Sequence, residues 1–392
     1  MHNRRINAPS DDSIVRVMAG APRVFRLGRG YATYPIALSR DPREDAPQGC
    51  AVGWGPDMKA TFAMQAGRFA LISPHLGDQE TLPAQAFHRR TYEHFKRVFR
   101  QQPDCITADL HPGYHSRALA MQEAKVSGAA FAEMQHHHAH LASVMLENGL
   151  EGEVIALALD GTGYGLDGAV WGGEVLVGSP SSFLRAGTLR TLPLPGGEVS
   201  VKHTWRLALA LLHEADDALL ARGMAHLPAT MASDAKVVAD MLQRNVNCVP
   251  CTSLGRLFDA FSALLGICGE ATYEAQAAIE LETAAARALA RGENIAPMPF
   301  GMKHSPELLV VDYAPAVRKA LAGMDAAGVP PLSFPPAPCA TLDVPLEVEN
   351  IAASFIASVA NAYAQLAREV AEASGIRRIV LSGGCFQNKL LL

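Results

Sequence analysis

No stretch of the 392-residue sequence is apolar for long enough to cross a membrane. Its longest apolar runs, such as residues 154–159, fall far short of the roughly 20 residues that a helical span requires. An excess of positive charge is missing too. Lys and Arg number 34 against 39 Asp and Glu, for a net charge of −5. Nucleic-acid binding needs a concentrated basic face, so no nucleic-acid partner is expected. The opening MHNRRINAPSDD has no apolar stretch behind its basic residues. An ordinary signal peptide is therefore not expected, and the cytoplasm is the expected compartment. Cysteine is sparse: seven residues, an odd number, at irregular spacing. That pattern predicts reduced thiols rather than a disulfide framework. Cys248 and Cys251 have CxxC spacing, but a zinc ribbon needs a second such pair and the sequence has none. What is present is a chain 49% hydrophobic, long enough for two or three sizeable domains.

The pattern along the chain is α/β. Residues 1–37 are rich in arginine and too short to build a core. They hold a strand-like run at 14–17 and read as the end of a preceding domain or as an arm. Residues 38–49 are charged and rich in Pro and Gly, as linkers are. Short strands are predicted at 51–53, 60–64 and 70–73, then a helix over 84–100 with Phe87, Tyr92, Phe95 and Phe99 at helical spacing. A buried strand at 105–110 is followed by a second helix over 131–146. A β-run at 153–159 stops at Asp160-Gly161, and its hairpin partner lies at 169–177. Residues 205–293 are mostly helical. Residues 294–345 read as irregular, with Pro330, Pro331, Pro335, Pro336 and Pro338. A long helix at 347–373, a strand at 376–381 and a helix starting near Asn388 complete the pattern.

Four constellations carry chemistry. In QHHHAH, His136 and His140 stand at i and i+4, which puts both imidazoles on one helix face, one turn apart. A helix offers two ligands to one metal in this way. His137 and His138 point elsewhere, as supporting or substrate-facing groups, or the whole cluster is packed or solvated. The second is DGTGYGLDGAVWGGE. A buried strand meets Asp160, then Gly161, Thr162, Gly163, Tyr164 and Gly165. Glycines let backbone N–H groups approach phosphate oxygens, and the preceding carboxylate can hold a metal bridging to them. No GK[ST] follows, so this is not a P-loop. The layout resembles the phosphate hairpin shared by actin, the heat-shock chaperone ATPases and the sugar kinases. The third is LSGGCFQN, whose Gly383 and Gly384 match the glycine pair that the second lobe of that superfamily places under the adenosine, with Asn388 beside it. The fourth is SLGRLFDAFSALLGI. Its Asp259, with Glu274 just after, can hydrogen-bond a ribose, or can equally be a capping or surface carboxylate. Lys59 can meet an anionic ligand. SPHLGD and DLHPGYHS are polar clusters at strand ends, where active-site loops collect.

QHHHAH, DGTGYGLDGAVWGGE, GRLFDA, YEAQAAIELE and LSGGCFQN occur here in one order, with SPHLGD and DLHPGYHS. Together they resemble the C-terminal half of the HypF carbamoyltransferases, over roughly residues 50–392. Residues 1–37 look like the last strands of the adenylating, YrdC-like domain of that family. The resemblance implies a two-lobed actin/sugar-kinase-like (ASKHA) fold with a nucleotide cleft between the lobes. It implies transfer of a carbamoyl group from carbamoyl adenylate, which carries the AMP moiety of ATP, to the C-terminal cysteine of HypE in nickel–iron hydrogenase maturation. It implies a divalent metal, zinc or iron, held by His136, His140 and Asp160. It also implies phosphates on the 161–165 hairpin and adenosine beside Asp259, Glu274, Gly383 and Gly384.

The chain departs from the family pattern in several places. The acylphosphatase domain, the zinc-finger motifs and most of the YrdC-like domain are not in this sequence. Carbamoyl adenylate is therefore expected from a separate adenylating protein. One further strand and an Asp would follow LSGGCFQN, whereas this sequence stops at Leu392. Ala275 stands where the family usually has Gly, and SPHLGD where it has SQHIGD. Three rival readings are an ATPase or kinase of the same superfamily, the tRNA-modifying relative, and a non-catalytic copy that only binds maturation partners. Kinases of that superfamily use carboxylates and magnesium rather than imidazoles, so the histidine cluster argues against the first.

Overall fold

The computed structural model describes residues 3, 4, 6, 8–38, 49–293, 295–305, 308–334 and 344–392. Nearly all of the expected linker, together with Pro335, Pro336 and Pro338, lies outside the described residues. The chain folds into two units, Met1–Glu151 and Gly152–Leu392.

The first unit opens with a separate antiparallel hairpin, β1 (Ile14–Met18) and β2 (Ala21–Arg26). Its main sheet contains β3 (Ile36–Ala37), β4 (Ala51–Trp54), β5 (Phe62–Ala66), β6 (Phe69–Ile72), β7 (Cys105–Asp109) and β8 (Ala130–Met134). The spatial order is β3-β6-β5-β4-β7-β8. From β3 to β4 neighbours run antiparallel, while β7 is parallel to β4 and β8 to β7. Parallel neighbours need a crossover, and helices supply it here. α1 (Leu82–Phe99) joins β6 to β7, α2 (His115–Ser127) joins β7 to β8, and α3 (His136–Glu147) follows β8.

α1 starts where Thr81 caps the Ala84 N–H and Pro83 fits the first turn, and ends at Arg100 in the left-handed region. Its buried stripe is His88, Tyr92 and Phe95, spaced four and three residues apart, so one face turns inward. That stripe meets alternate residues of the sheet. The His88 ring stacks on Trp54 with centroids 4.5 Å apart, and Phe62 lies against Tyr92 and Phe95.

His88 is fully buried, and burial lowers its pKa from 6.5 to about 4. The fold therefore favours the neutral ring, and on acidification the unfolded chain takes up the proton first. The His88 contribution is complete above pH 6.5 and is lost as pH falls from 6.5 towards 4. The full loss is about 3 kcal/mol, at about 1.4 kcal/mol per pKa unit. Urea unfolding between pH 7.5 and 4.5 checks this. His88→Phe, which keeps the stack, is expected to flatten the pH dependence, and an unchanged slope in that variant would rule out His88 as its source.

The second unit repeats part of this strand order. β9 (Val154–Tyr164), β10 (Val170–Ser179) and β11 (Ser182–Leu189) form an antiparallel meander, and β16 (Ile379–Ser382) lies parallel to β9 on the other side. β4 in the first unit and β9 in the second therefore each sit between an antiparallel hairpin partner and a later parallel strand. β14 (Gly301–His304) and β15 (Leu309–Asp312) extend the far edge, with β15 parallel to β11. A two-residue pair, β12 (Leu194–Pro195) with β13 (Cys248–Val249), lies apart. The helices are α4 (Val199–Lys202), α5 (Thr204–Ala215), α6 (Asp217–His226), α7 (Ala232–Arg244), α8 (Leu254–Leu264), α9 (Gln276–Ala290), α10 (Ala314–Ala326) and α11 (Leu346–Ser374). All eleven residues of α8 are buried, as are Leu207–Leu212 of α5 and Phe355 of α11, whose ring stacks 3.9 Å from Phe261. A helix buried on every side belongs inside a core, and the two charged residues of α8, Arg256 and Asp259, pair with each other there.

Four expectations are corrected. Residues 131–134 are strand, not helix. Their apolar residues fit a helical period, but Ala130–Met134 pairs in parallel with Cys105–Asp109, and the helix begins only at His136. The β-run at 153–159 does not stop at Asp160 but continues to Tyr164. Residues 294–345 are not uniformly irregular, since β14, β15 and α10 occupy 301–304, 309–312 and 314–326. No helix starts near Asn388. A 3-10 turn, Gly384–Gln387, ends there, and the Asn388 side chain accepts from the Leu390 and Leu391 N–H groups. Among the described residues no helix is long and apolar enough to cross a membrane.

Candidate active site

In the first unit β7 and β8 end side by side, with Asp109 opposite Met134. The carboxyl ends of parallel strands are where α/β sheets place ligands. α3 leaves directly from this edge. Gln135 caps it, its side-chain oxygen accepting the His138 N–H at 2.9 Å. The Gln135 amide also meets Nδ1 of His137 at 3.2 Å. His137 and His138 are both buried, so these two rings pack inward and hold the helix start in place. His136 and His140 share the other face, ring centroids 5.0 Å apart.

His136 has a specific partner. Its Nδ1 lies 2.8 Å from Oδ2 of Asp109, and Oδ1 of Asp109 accepts the His111 N–H at 2.9 Å. A carboxylate only accepts, so Nδ1 carries the hydrogen and Nε2 is the basic nitrogen of the ring. Carboxylate–imidazole pairs of this kind fix the tautomer and orientation of metal-binding histidines. In the sequence DLHPGYHS stands out only as a polar cluster, and Asp109 has no assigned part. The signal available is a carboxylate ending one parallel strand while the histidine follows the next. Lys59 is exposed in a left-handed turn (φ 51°), its N–H donating to Asp78 of SPHLGD at 2.8 Å.

In the second unit the β9–β10 ladder breaks at Asp160. Leu159 faces Gly173 and Gly163 faces Trp171, so residues 160–162 oppose Gly172 alone. Such a bulge re-aims side chains and is common beside active sites. Gly172 is obligatory there, because a Cβ on it would lie 2.6 Å from the Asp160 carbonyl oxygen. Oδ1 of Asp160 accepts N–H groups from Gly161 at 2.8 Å and Gly384 at 3.1 Å. The LSGG segment thus comes directly onto Asp160. Gly383 has φ 106°, and a Cβ there would lie 2.2 Å from the Leu159 carbonyl oxygen. Only glycine allows that approach.

The glycine hairpin divides its work. Gly161 is half-buried and Thr162 exposed, both inside the bulge, while Gly163 is buried and Tyr164 pairs with Val170. The turn itself is at 165–169. A side chain at Gly165 would overlap the Trp171 indole, so that glycine serves packing rather than ligand approach. Trp171 donates to Asp167 at 2.8 Å, and the Arg185 guanidinium lies 3.9 Å from its ring.

α8 begins against the bulge. The Ser253 hydroxyl accepts the Arg256 N–H and contacts the carbonyl oxygens of Asp160 and Gly161 at 3.0 and 2.6 Å. Asp259, expected at a ribose, is 3% exposed and paired with Arg256 at 2.8 Å. Burial pushes its carboxyl up to about 6, against the pull of Arg256. Glu274 is exposed in the turn before α9. Ala275 beside it has φ 60°, a left-handed conformation that glycine adopts without strain and other residues seldom do.

Comparison with known proteins finds relatives along the whole chain. A family model described as "HypF Kae1-like domain" matches residues 46–147, and one described as "Carbamoyltransferase, Kae1-like Domain, second subdomain" matches 156–334 and 336–392. Carbamoyltransferase HypF of Synechocystis is 32% identical over 406 residues, covering 100% of this chain and 48% of that protein. A carbamoyltransferase HypF homolog of Cupriavidus necator is 37% identical over 293 residues, covering 74% of this chain and 69% of that one. A crystal structure of full-length HypF in the phosphate- and nucleotide-bound form aligns with a TM-score of 0.85 at 33% identity, covering 100% of this chain and 56% of that chain. The chain spans about half the length of relatives such as the Synechocystis protein. With both of its units matched in order, the chain belongs to the HypF carbamoyltransferase family.

Proposed function

We propose that the chain performs a carbamoyl-transfer step, taking the group from carbamoyl adenylate to the C-terminal cysteine of a HypE-type acceptor in hydrogenase maturation. The observation that carries this is the Asp109–His136 hydrogen bond, a device for presenting Nε2 of a histidine to a metal. Under this reading His136, His140 and Asp160 hold a zinc or iron ion. Two imidazole nitrogens and a carboxylate oxygen suit either metal. A cation there supplies Lewis-acid charge where negative charge develops on the departing phosphate.

The chain's own residues hold the reactants. The backbone N–H groups around the bulge at 160–162 take the phosphate, and Lys59 contributes positive charge; Gly163, Tyr164 and Gly165 are committed to the ladder and to packing. Glu274, Gly383, Gly384 and Asn388 form the adenosine side, while Asp259, expected there from the sequence, is buried against Arg256. The acceptor sulfur attacks the carbamoyl carbon as thiolate. The carbon–oxygen bond to the phosphate breaks, and AMP leaves with the electron pair, its charge met by the amide donors. The strand order repeated in the two units supports an ASKHA-type, two-lobed arrangement. Residues 1–37 are read as the end of a YrdC-like domain, 38–49 as a linker and 50–392 as the transfer domain of a cytoplasmic protein.

The test is direct. The purified chain receives preformed carbamoyl adenylate and HypE, and mass spectrometry reads the acceptor cysteine beside an active full-length HypF. Carbamoylation that disappears in His136→Ala supports the reading. No transfer from the folded wild-type chain would favour a non-catalytic binding role instead.

A further inference from the structure

We propose that Arg256 binds the phosphate group of the nucleotide at the Asp160 bulge and that Asp259 positions it there. This rests on the nucleotide-binding reading above and adds to it a residue and a division of labour. Arg256 and Asp259 are the two charged residues of α8, a helix otherwise built of apolar and small side chains. Arg256 is 8% exposed, and its Nη2 makes the 2.8 Å contact with Oδ2 of Asp259. The same Nη2 lies 3.8 Å from where a Cβ on Gly161 would stand, so the guanidinium ends at the bulge, beside a residue that has no side chain. Its Nε–H is buried and has no hydrogen-bond partner among the described residues.

That arrangement is a poor stabilising device. A buried ion pair contributes little net stability, and an unsatisfied buried donor costs about 1–3 kcal/mol. Apolar residues of similar size would fill the space at no such loss. The guanidinium does suit a ligand, because its planar fork matches phosphate oxygens with two parallel N–H bonds. Its surroundings favour the same ligand. The first turn of α8 is fixed to the bulge by Ser253, and Gly255 packs so closely that a Cβ there would lie 2.8 Å from the Gly161 Cα. The helix N-terminus therefore adds its partial positive charge at the same place. Asp259, sealed behind the guanidinium, sets its direction and does not itself reach the ligand.

Calorimetric titration of the full chain with AMP, inorganic phosphate and adenosine tests this. Arg256→Met/Asp259→Asn, which removes both charges together, is expected to weaken AMP and phosphate by about 10- to 100-fold, the range for a charge-assisted hydrogen bond, and to leave adenosine within about twofold. Asp259→Asn alone keeps the guanidinium and is expected to lose less. If the double variant unfolds, Arg256→Lys keeps the charge without the fork and is expected to weaken AMP several-fold but not adenosine. Equal AMP affinity in wild type and variant, or an equal loss of adenosine, would overturn the assignment while leaving the nucleotide reading intact. A wild-type chain that binds neither AMP nor phosphate would overturn both.

Discussion

Asp109→Asn is expected to weaken metal binding by about 10- to 100-fold, the range seen when the partner of a ligating histidine is lost. The substitution keeps the shape of the side chain and its contact with the His111 N–H. It replaces a group that only accepts by an amide that can present its NH₂ to His136, and a donor facing Nδ1 favours the tautomer with hydrogen on Nε2. The nitrogen needed for coordination is then blocked. His136→Ala removes the ligand outright and is expected to abolish stoichiometric metal. Metal content after dialysis, followed by zinc titration against a chromophoric chelator, reads both effects. If Asp109→Asn retains zinc as tightly as wild type, the hydrogen bond is a packing feature and the proposed centre is wrong or lies elsewhere.

Arg185→Ala is expected to destabilise the second unit by about 3–5 kcal/mol, the cost of leaving one member of a buried ion pair without its partner. Glu174, the last residue of DGTGYGLDGAVWGGE, is completely buried. Its Oε2 accepts from Nε of Arg185 at 2.7 Å and its Oε1 from Thr252 at 2.5 Å. The Arg185 guanidinium also reaches Thr188, Thr252 and Asp167 and covers the Trp171 ring. One side chain thus joins β11, the β10 core and the hairpin turn. Truncating it leaves a carboxylate in an apolar interior and frees the turn whose other end carries the bulge. Chemical denaturation measures the loss, and Arg185→Ala/Glu174→Gln is expected to recover part of it because no uncompensated charge remains. A loss in the single variant no larger than an exposed pair gives, about 0.2–1 kcal/mol, would show that water reaches Glu174 and that the network is not sealed.

The sequence by itself determined the α/β class, most strand positions, the long helices and the family. These follow from local signals: short apolar runs between turns at 51–53 and 70–73, the helical spacing of Phe87, Tyr92, Phe95 and Phe99, and motifs whose residue types are dictated by backbone approach; that His88 rather than Phe87 or Phe99 joins the buried stripe was decided by packing. It also determined that His136 and His140 share a helix face, since a four-residue spacing fixes that wherever the helix starts. Its boundaries were less secure where two periods compete. Phe131 fits either a helix or a strand, and only pairing with β7 decides for the strand. Asp160 was legible as a carboxylate ending a buried run, but not the bulge that turns it, because three residues facing one is a property of two strands together.

The same limit hid the partners. Asp109 lies 27 positions before His136, and Glu174 lies 78 before Thr252, so no local pattern joins them. Asp259 could be read as a ribose ligand because its residue type permits it. Its burial against Arg256 depends on α8 being enclosed on every side, which composition suggests and only packing establishes. Tertiary structure therefore decided which nitrogen of His136 is basic, which glycines serve packing and which face open space, and which charges are spent on one another. Hydrogen bonds and burial couple residues by distance in space, and the chain's local chemistry carries no record of that distance.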